Sequence, residues 1–186
     1  MDIYDFDGTL YRGDSTRDFF IWCLRRYPRM AITLPRTGVA AVACFGLHAI
    51  DKTRFKQALY RFLTYIPDIE EEVRRFWREH ERNITGPCRP QVGDLVISAS
   101  PEFLLQSACK QRGLELMASP VDPHTGATLG SNCSGAQKIV RLRERYPHAV
   151  VDHFFSDSHN DDPLAELAAE AFMVNIPKGT IVPWPQ

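Results

Sequence analysis

Two carboxylates, Asp5 and Asp7, stand two residues apart directly after a very short apolar run, with Gly8-Thr9-Leu10 behind them. A carboxylate held at a strand end can attack phosphorus and form an acyl phosphate. A second one beside it can protonate the leaving oxygen and later deprotonate the attacking water. Three further polar groups fit the same chemistry: Ser98 after Leu95-Val96-Ile97, Lys138 near the start of a helical pattern, and the run Asp157-Ser158-His159-Asn160-Asp161. Carboxylate and phosphate repel each other, so a divalent cation is expected between them. Mg²⁺ suits oxygen ligands and phosphate, and Asp157 and Asp161 can complete its shell. The Ser98 hydroxyl, backbone N–H groups and the Lys138 ammonium would then hold the phosphoryl oxygens.

These groups need elements that bring them together. Ile3 to Phe6 reads as a very short buried strand and Asp7-Gly8-Thr9 as a turn. Leu95–Ile97 reads as a buried parallel strand, with a helix from Glu102 to about Arg112 that stops at Gly113. Leu116–Ala118 is the next strand, Asp122–Gly126 a turn and Ala136–Arg145 a helix. Asp152–Ser156 is a strand, Leu164–Ala171 a helix and Phe172–Val174 a last strand. Strands alternating with helices predict a parallel α/β sheet. In such sheets ligands bind beyond the carboxyl ends of the strands, where all four polar groups fall.

From about Ser15 to Asn83 the pattern changes. Apolar residues recur at helical spacing (Phe55, Leu59, Phe62, Leu63; Val73, Phe76, Trp77), and strand signals are nearly absent. This predicts an all-helical insertion. Its longest apolar stretch, Gly38 to Ile50, falls short of the ~20 residues of a spanning helix. The preferred expectation is a buried helix. The alternative is an interfacial segment, suggested by Arg25, Arg26 and Arg29 beside Phe19, Phe20 and Trp22.

The 186 residues suit one medium domain, or a core with a small insert. With 22 basic and 23 acidic residues the formal charge is -1. That balance gives no case for general nucleic-acid binding. Five scattered cysteines, with no CxxC spacing, read as reduced apolar residues. The acidic start, Met1-Asp2-Ile3-Tyr4-Asp5, lacks the basic-then-apolar pattern of a secretory signal, so a cytoplasmic location is expected. His153 and His159 have no third partner at ligand spacing and read as structural or solvent-facing.

DFDGTL (Asp5 to Leu10), VISAS (Val96 to Ser100), Lys138 and SDSHNDDPL (Ser156 to Leu164), in that order, resemble the four motifs of the haloacid dehalogenase superfamily phosphatases. The resemblance spans nearly the whole chain. It implies a three-layer Rossmann-like α/β core (residues 1–12 and 87–186) with a parallel sheet, and a helical C1 cap (13–86) after the first strand. It further implies Asp5 as phosphoaspartate nucleophile and Mg²⁺ ligand. Asp7 would be the general acid/base, with its carbonyl on the metal. Ser98 and Lys138 would bind phosphate, with Gly8, Ala99 and Asn160 lining the substrate. Asp157 and Asp161 would hold or orient the metal. Asp at position 7 resembles the phosphatases rather than the ion pumps or dehalogenases.

The helical insertion, SASPEFLL and SDSHNDDPL are similar to the phosphoserine-phosphatase-like branch, in which Asp14 would contact substrate; capping a helix is the equal alternative for Asp14. The Arg-rich, apolar cap and Pro177-Lys178-Gly179 resemble bacterial phosphatidylglycerophosphate phosphatases of type C. One departure is the short stretch Pro87–Asp94, where relatives usually carry a longer helix. The resemblance thus implies an Mg²⁺-dependent phosphomonoesterase acting on a small phosphorylated metabolite or a lipid head group. A phosphotransferase using the same intermediate, or a non-catalytic phosphate-binding or protein-binding module, is the alternative. Peripheral membrane contact is not favoured, and oligomeric state is left open.

Overall fold

A very short first strand can position a site because its neighbours hold it on both sides. In the computed structural model, which describes residues 1–49 and 52–185, β1 is only Ile3–Tyr4. It lies between β2 (Leu95–Pro101) and β4 (His153–Ser156), parallel to both, with Tyr4 in register with Val96 and Phe155. Asp5 therefore leaves the sheet beside the carboxyl ends of β2 and β4. The sheet continues outward through β3 (Glu115–Ser119) on one side and β5 (Glu170–Asn175) on the other, in the order β3-β2-β1-β4-β5-β6. The first five strands are parallel, and β6 (Thr180–Pro183) closes the edge antiparallel to β5.

The helical insertion is as expected in kind. Between β1 and β2 the described chain forms α1 (Ser15–Arg26), α2 (Leu34–Ala41), α3 (Lys52–Tyr60) and α4 (Ile69–His80), joined by 3-10 turns and, after α2, by a wider helical turn, with no strand. Asp14 and Asp68 cap α1 and α4 by accepting from the N–H groups of Arg17 and Glu71. Phe19, Trp22, Phe76 and Trp77 of this insertion share one buried cluster with Phe6, Tyr11, Val96 and Leu104 of the sheet region. Beyond β2, α5 (Glu102–Lys110) ends in a turn closed by Gly113, whose φ of 67° favours glycine. On the other face, Ile3, Leu95, Ile97 and Phe154 pack with Leu142 of α6 (Ala136–Arg145) and Leu164 of α7 (Asp162–Ala165).

Three expectations are corrected. The helix expected over Leu164–Ala171 is only the short α7. The chain then binds the leading end of β4, with Ala169 N donating to Val151 O and Glu170 N to Asp152 O, so residues from Glu170 on are strand. The expected parallel sheet gains an antiparallel edge, since Gly179 (φ 64°) turns the chain back after β5. The segment starting at Gly38 is not a buried helix. Only its inner side, Ala40 and Cys44, is buried, while Val39, Val42, Phe45 and Leu47 are exposed. The inner side packs on α3, where Thr37 Oγ1 donates to Ala58 O, and the outer side stays largely exposed, with Phe45 partly covered by Phe55. Ile50, at the end of that segment, lies outside the described residues.

No helix among the described residues is long and apolar enough to cross a membrane. All five cysteines are buried and unpaired.

Candidate active site

The tight turn after β1 sets the two aspartates. Phe6 O accepts from Thr9, Leu10 and Tyr11, and Gly8 takes a φ of 79°. A Cβ on Gly8 would fall 1.9 Å from Asp157 Oδ2, so that carboxylate lies directly against the turn. Gly8→Ala is expected to cost about 1–2 kcal/mol of stability from the left-handed backbone alone. It should also displace the Asp157 side chain, so the loss of stability should exceed that backbone cost, as read by thermal denaturation. A loss no larger than the backbone cost would mean that Asp157 yields freely.

Asp5 is buried and accepts from Lys138 Nζ at 2.6 Å. Lys138 stands in the first turn of α6 with only 2 % of its surface exposed, and it donates equally to Asp161 Oδ2 at 2.6 Å. Ser156 Oγ adds a bond of 2.8 Å to the same Asp161 oxygen. Asp161 is thus the buried partner in this motif, whereas Asp162 accepts from Trp184 Nε1 away from the cluster.

Burial pushes the Asp5 carboxyl up, and the charge of Asp161 adds to this against the pull of Lys138. Burial also disfavours the charged Lys138, yet the two carboxylates outweigh it and hold the ammonium above its ordinary range. The carboxyl of Asp157, an exposed residue, is pushed to about 6 by partial desolvation and then by the charge of Asp5.

Asp7 faces the other way. It accepts from Ser15 N at 2.7 Å and from Ser100 Oγ. Thr16 Oγ1 lies 2.9 Å from Ser100 Oγ. Since Ser100 gives its proton to Asp7, Thr16 is the donor in that pair. Burial, and then the charge of Asp14, raise the Asp7 carboxyl to about 7, against the hydrogen bonds from Ser100 and Ser15. A carboxyl near neutrality can both give and take a proton at physiological pH.

Asp5 and Asp7 floor a cleft of about 430 Å³, lined also by Asp14, Arg17, Phe20, Phe55, Lys56, Ser98, Ala99 and Ser100. A wider hollow of about 1060 Å³ beside Trp184 is lined by His159, Asp162, Glu166 and Glu170, with no lysine, arginine or hydroxyl side chain to hold an anion. Ser98 is buried, its Oγ accepting from Ser100 N at 3.1 Å. Asp14 caps α1 and lines the cleft, so both expectations for it are compatible with its position. Asn160 is exposed, on an adjoining hollow that shares Phe55, Lys56 and Ala99 with the cleft.

Two residues were not singled out from the sequence. Ser100 joins Asp7 to the insertion, and the only signal for it is a second hydroxyl two residues after Ser98. Lys56 of α3 reaches across the cleft, donating to Ala99 O at 2.6 Å and Asn132 Oδ1 at 2.7 Å. Nothing in its local pattern distinguishes it from a surface lysine.

Asp5 and Asp161 share the single ammonium of Lys138, and Asp157 stands close enough to Asp5 to feel its charge, leaving excess negative charge beside oxygen donors. That fits a hard divalent cation. No three His, Cys, Asp or Glu side chains among the described residues already converge as a metal cluster. The Asp7 side chain is turned to Ser15 and Ser100, so carbonyl or water oxygens would have to complete a shell.

The chain is 26% identical over 188 aligned positions to Protein CicA of Caulobacter vibrioides (strain NA1000 / CB15N), spanning 90% of this chain and 82% of that protein. A protein of unknown function from Bordetella pertussis Tohama I shares the fold with a TM-score of 0.70 at 18% identity, covering 92% of this chain and 87% of that one. A phosphoserine phosphohydrolase-like protein from Francisella tularensis subsp. tularensis SCHU S4 gives a TM-score of 0.53 at 14% identity, with 92% and 86% covered. The haloacid dehalogenase-like hydrolase family matches residues 3–166, which carry β1, the helical insertion and all four polar groups. With that match over most of its length, on a largely parallel Rossmann-like sheet, the chain belongs to the haloacid dehalogenase-like hydrolases.

Proposed function

We propose that the protein is an Mg²⁺-dependent phosphomonoesterase that works through a phosphoaspartate on Asp5. The observation that carries this reading is the division of labour between the two aspartates. Asp5 is bound to an ammonium and set among carboxylates, while Asp7 carries a carboxyl near pH 7 on the same cleft floor.

Mg²⁺ would be held by the carboxylates of Asp5 and Asp157 and the carbonyl of Asp7, with Asp161 in support; when bound, it screens the phosphate charge from the nucleophile. Asp5 attacks phosphorus as the ester P–O bond breaks, and Asp7 gives its proton to the leaving oxygen. Water then attacks the phosphoaspartate, passing its proton to Asp7, and phosphate leaves as the Asp5 carboxylate is restored. Lys138 and Ser98 hold phosphoryl oxygens. The helical insertion serves as a cap, and its Arg17, Lys56, Phe20 and Phe55 would contact the ester's organic part. The cleft volume suits a small phosphorylated metabolite or a lipid head group.

Phosphate release from phosphoserine, sugar phosphates, nucleotides and phosphatidylglycerophosphate in mixed micelles, with Mg²⁺ and with chelator, tests this. Mg²⁺-dependent turnover of a panel member is expected, and turnover that survives the chelator contradicts it.

Ser100 is expected to act through Asp7. Its hydrogen bond favours the charged carboxylate, so Ser100→Ala should raise the Asp7 pKa further. The limb of the kcat–pH profile set by Asp7 should then move to higher pH. A lower rate with an unmoved profile would make Ser100 merely structural.

A further inference from the structure

We propose that the outer face of the helical insertion from Ile32 to Leu47 docks the protein on an anionic lipid surface. Leu34–Ala41 and the wider helical turn Val42–Gly46 form one short rod whose inner side holds Ala40 and Cys44. Its outer side is also apolar. Val39, Val42 and Gly46 follow at helical spacing, and Ile32, Val39, Val42, Phe45 and Leu47 are 71, 71, 61, 57 and 72 % exposed. A helix apolar on both faces needs a second apolar medium, and contiguous exposed apolar residues mark an interaction site.

Charge identifies the medium. No acidic residue occurs between Asp18 and Asp51, while Arg25, Arg26, Arg29 and Arg36 do. Arg26 pairs with Glu72 at 3.0 Å; Arg25, Arg29 and Arg36 are exposed. A second copy meeting this face through a two-fold axis would set arginines against arginines. An anionic bilayer offers apolar depth and negative headgroups together. The rod is too short to span, so it would lie in the interface plane. Phe45 packs on Phe55 with ring centroids 5.1 Å apart, and Phe55 lines the cleft, so docking would bring the cleft mouth to the lipid surface. The inference does not rest on the phosphatase reading, and its test involves no turnover.

The test is co-sedimentation with vesicles of phosphatidylcholine alone or mixed with phosphatidylglycerol, at low and high salt. The full chain should bind the anionic vesicles, and on the order of 100-fold more weakly the neutral ones, as expected for three arginines near the surface. High salt should weaken binding. Val39→Asp combined with Val42→Asp should lower anionic-vesicle binding by at least about tenfold with an unchanged thermal melt. Arg29→Glu combined with Arg36→Glu, which leaves the apolar face intact, should also lower it.

Three results would overturn the proposal: no sedimentation with anionic vesicles, equal binding to both vesicle types, or wild-type binding by the valine variant. So would a lipid-free dimer in sedimentation velocity that the valine variant dissociates, because the face would then belong to a second copy.

Discussion

Asp5→Asn is expected to fold normally and to lose on the order of 10⁵-fold or more in kcat, the scale on which removing a catalytic nucleophile is felt. The fold should not suffer, for a reason visible in the site. Lys138 would keep its bond to Asp161 and could still donate to the amide oxygen at position 5, while one of the crowded carboxylates is neutralised. Burial and Asp161 already push the Asp5 carboxyl up, so removing its charge relieves strain rather than creating it. A thermal midpoint equal to or above wild type, with turnover lost, is the expected pair of results. Retained turnover would remove Asp5 from the chemistry. A collapsed fold would mean that the cluster needs its full negative charge.

Lys138→Met should fail differently. It has similar length and no charge, and it leaves two buried carboxylates facing each other without their cation. Breaking a buried ion pair in this way costs about 3–5 kcal/mol. For a chain of this size that is a fall of roughly 6–20 °C in Tm. Turnover should be lost as well, because phosphate loses a cationic partner.

The pH dependence of that instability has a definite sign. Without the ammonium, the folded-state pKa of Asp5, already raised by burial, rises further above its unfolded value. Acids with raised folded pKa values cost stability above the unfolded pKa, so the defect should be larger at pH 7 than at pH 5. Melts of Lys138→Met and wild type at both pH values check this. A loss equal at both pH values would point to packing rather than charge. Asp161→Asn added to Lys138→Met should recover part of the stability.

The polar groups that follow strand ends were legible in the sequence, whereas Ser100 and Lys56, which link the insertion to the sheet region, were not. Asp5, Asp7, Ser98, Asp157 and Asp161 follow strands whose apolar runs are unambiguous, and parallel strands align their carboxyl ends. Lys138 was legible only through motif order, since a lysine in a first helical turn is usually solvated; here it is buried between Asp5 and Asp161. Lys56 and Ser100 were missed because their partners, Ala99 with Asn132 and Asp7 with Thr16, lie on other elements that periodicity does not bring together. The fold errors have the same origin. Glu170 became strand because β4 offered it carbonyls, and Thr180–Pro183 pairs only after Gly179 reverses the chain. The segment starting at Gly38 was expected inside because its composition is apolar, but composition does not say whether protein covers a face or leaves it open.

A phosphoryl group carried by Asp5 leaves a covalent mark that can be read chemically. The direct measurement is acid quench of the enzyme turning over a substrate with Mg²⁺, followed by borohydride reduction and peptide mass spectrometry. An aspartyl phosphate is reduced to homoserine. Homoserine is expected at position 5 and at no other aspartate, in wild type and not in Asp5→Asn. Phosphate release at full rate with position 5 recovered only as aspartate, or with the modification at Asp7 or Asp157, would contradict it.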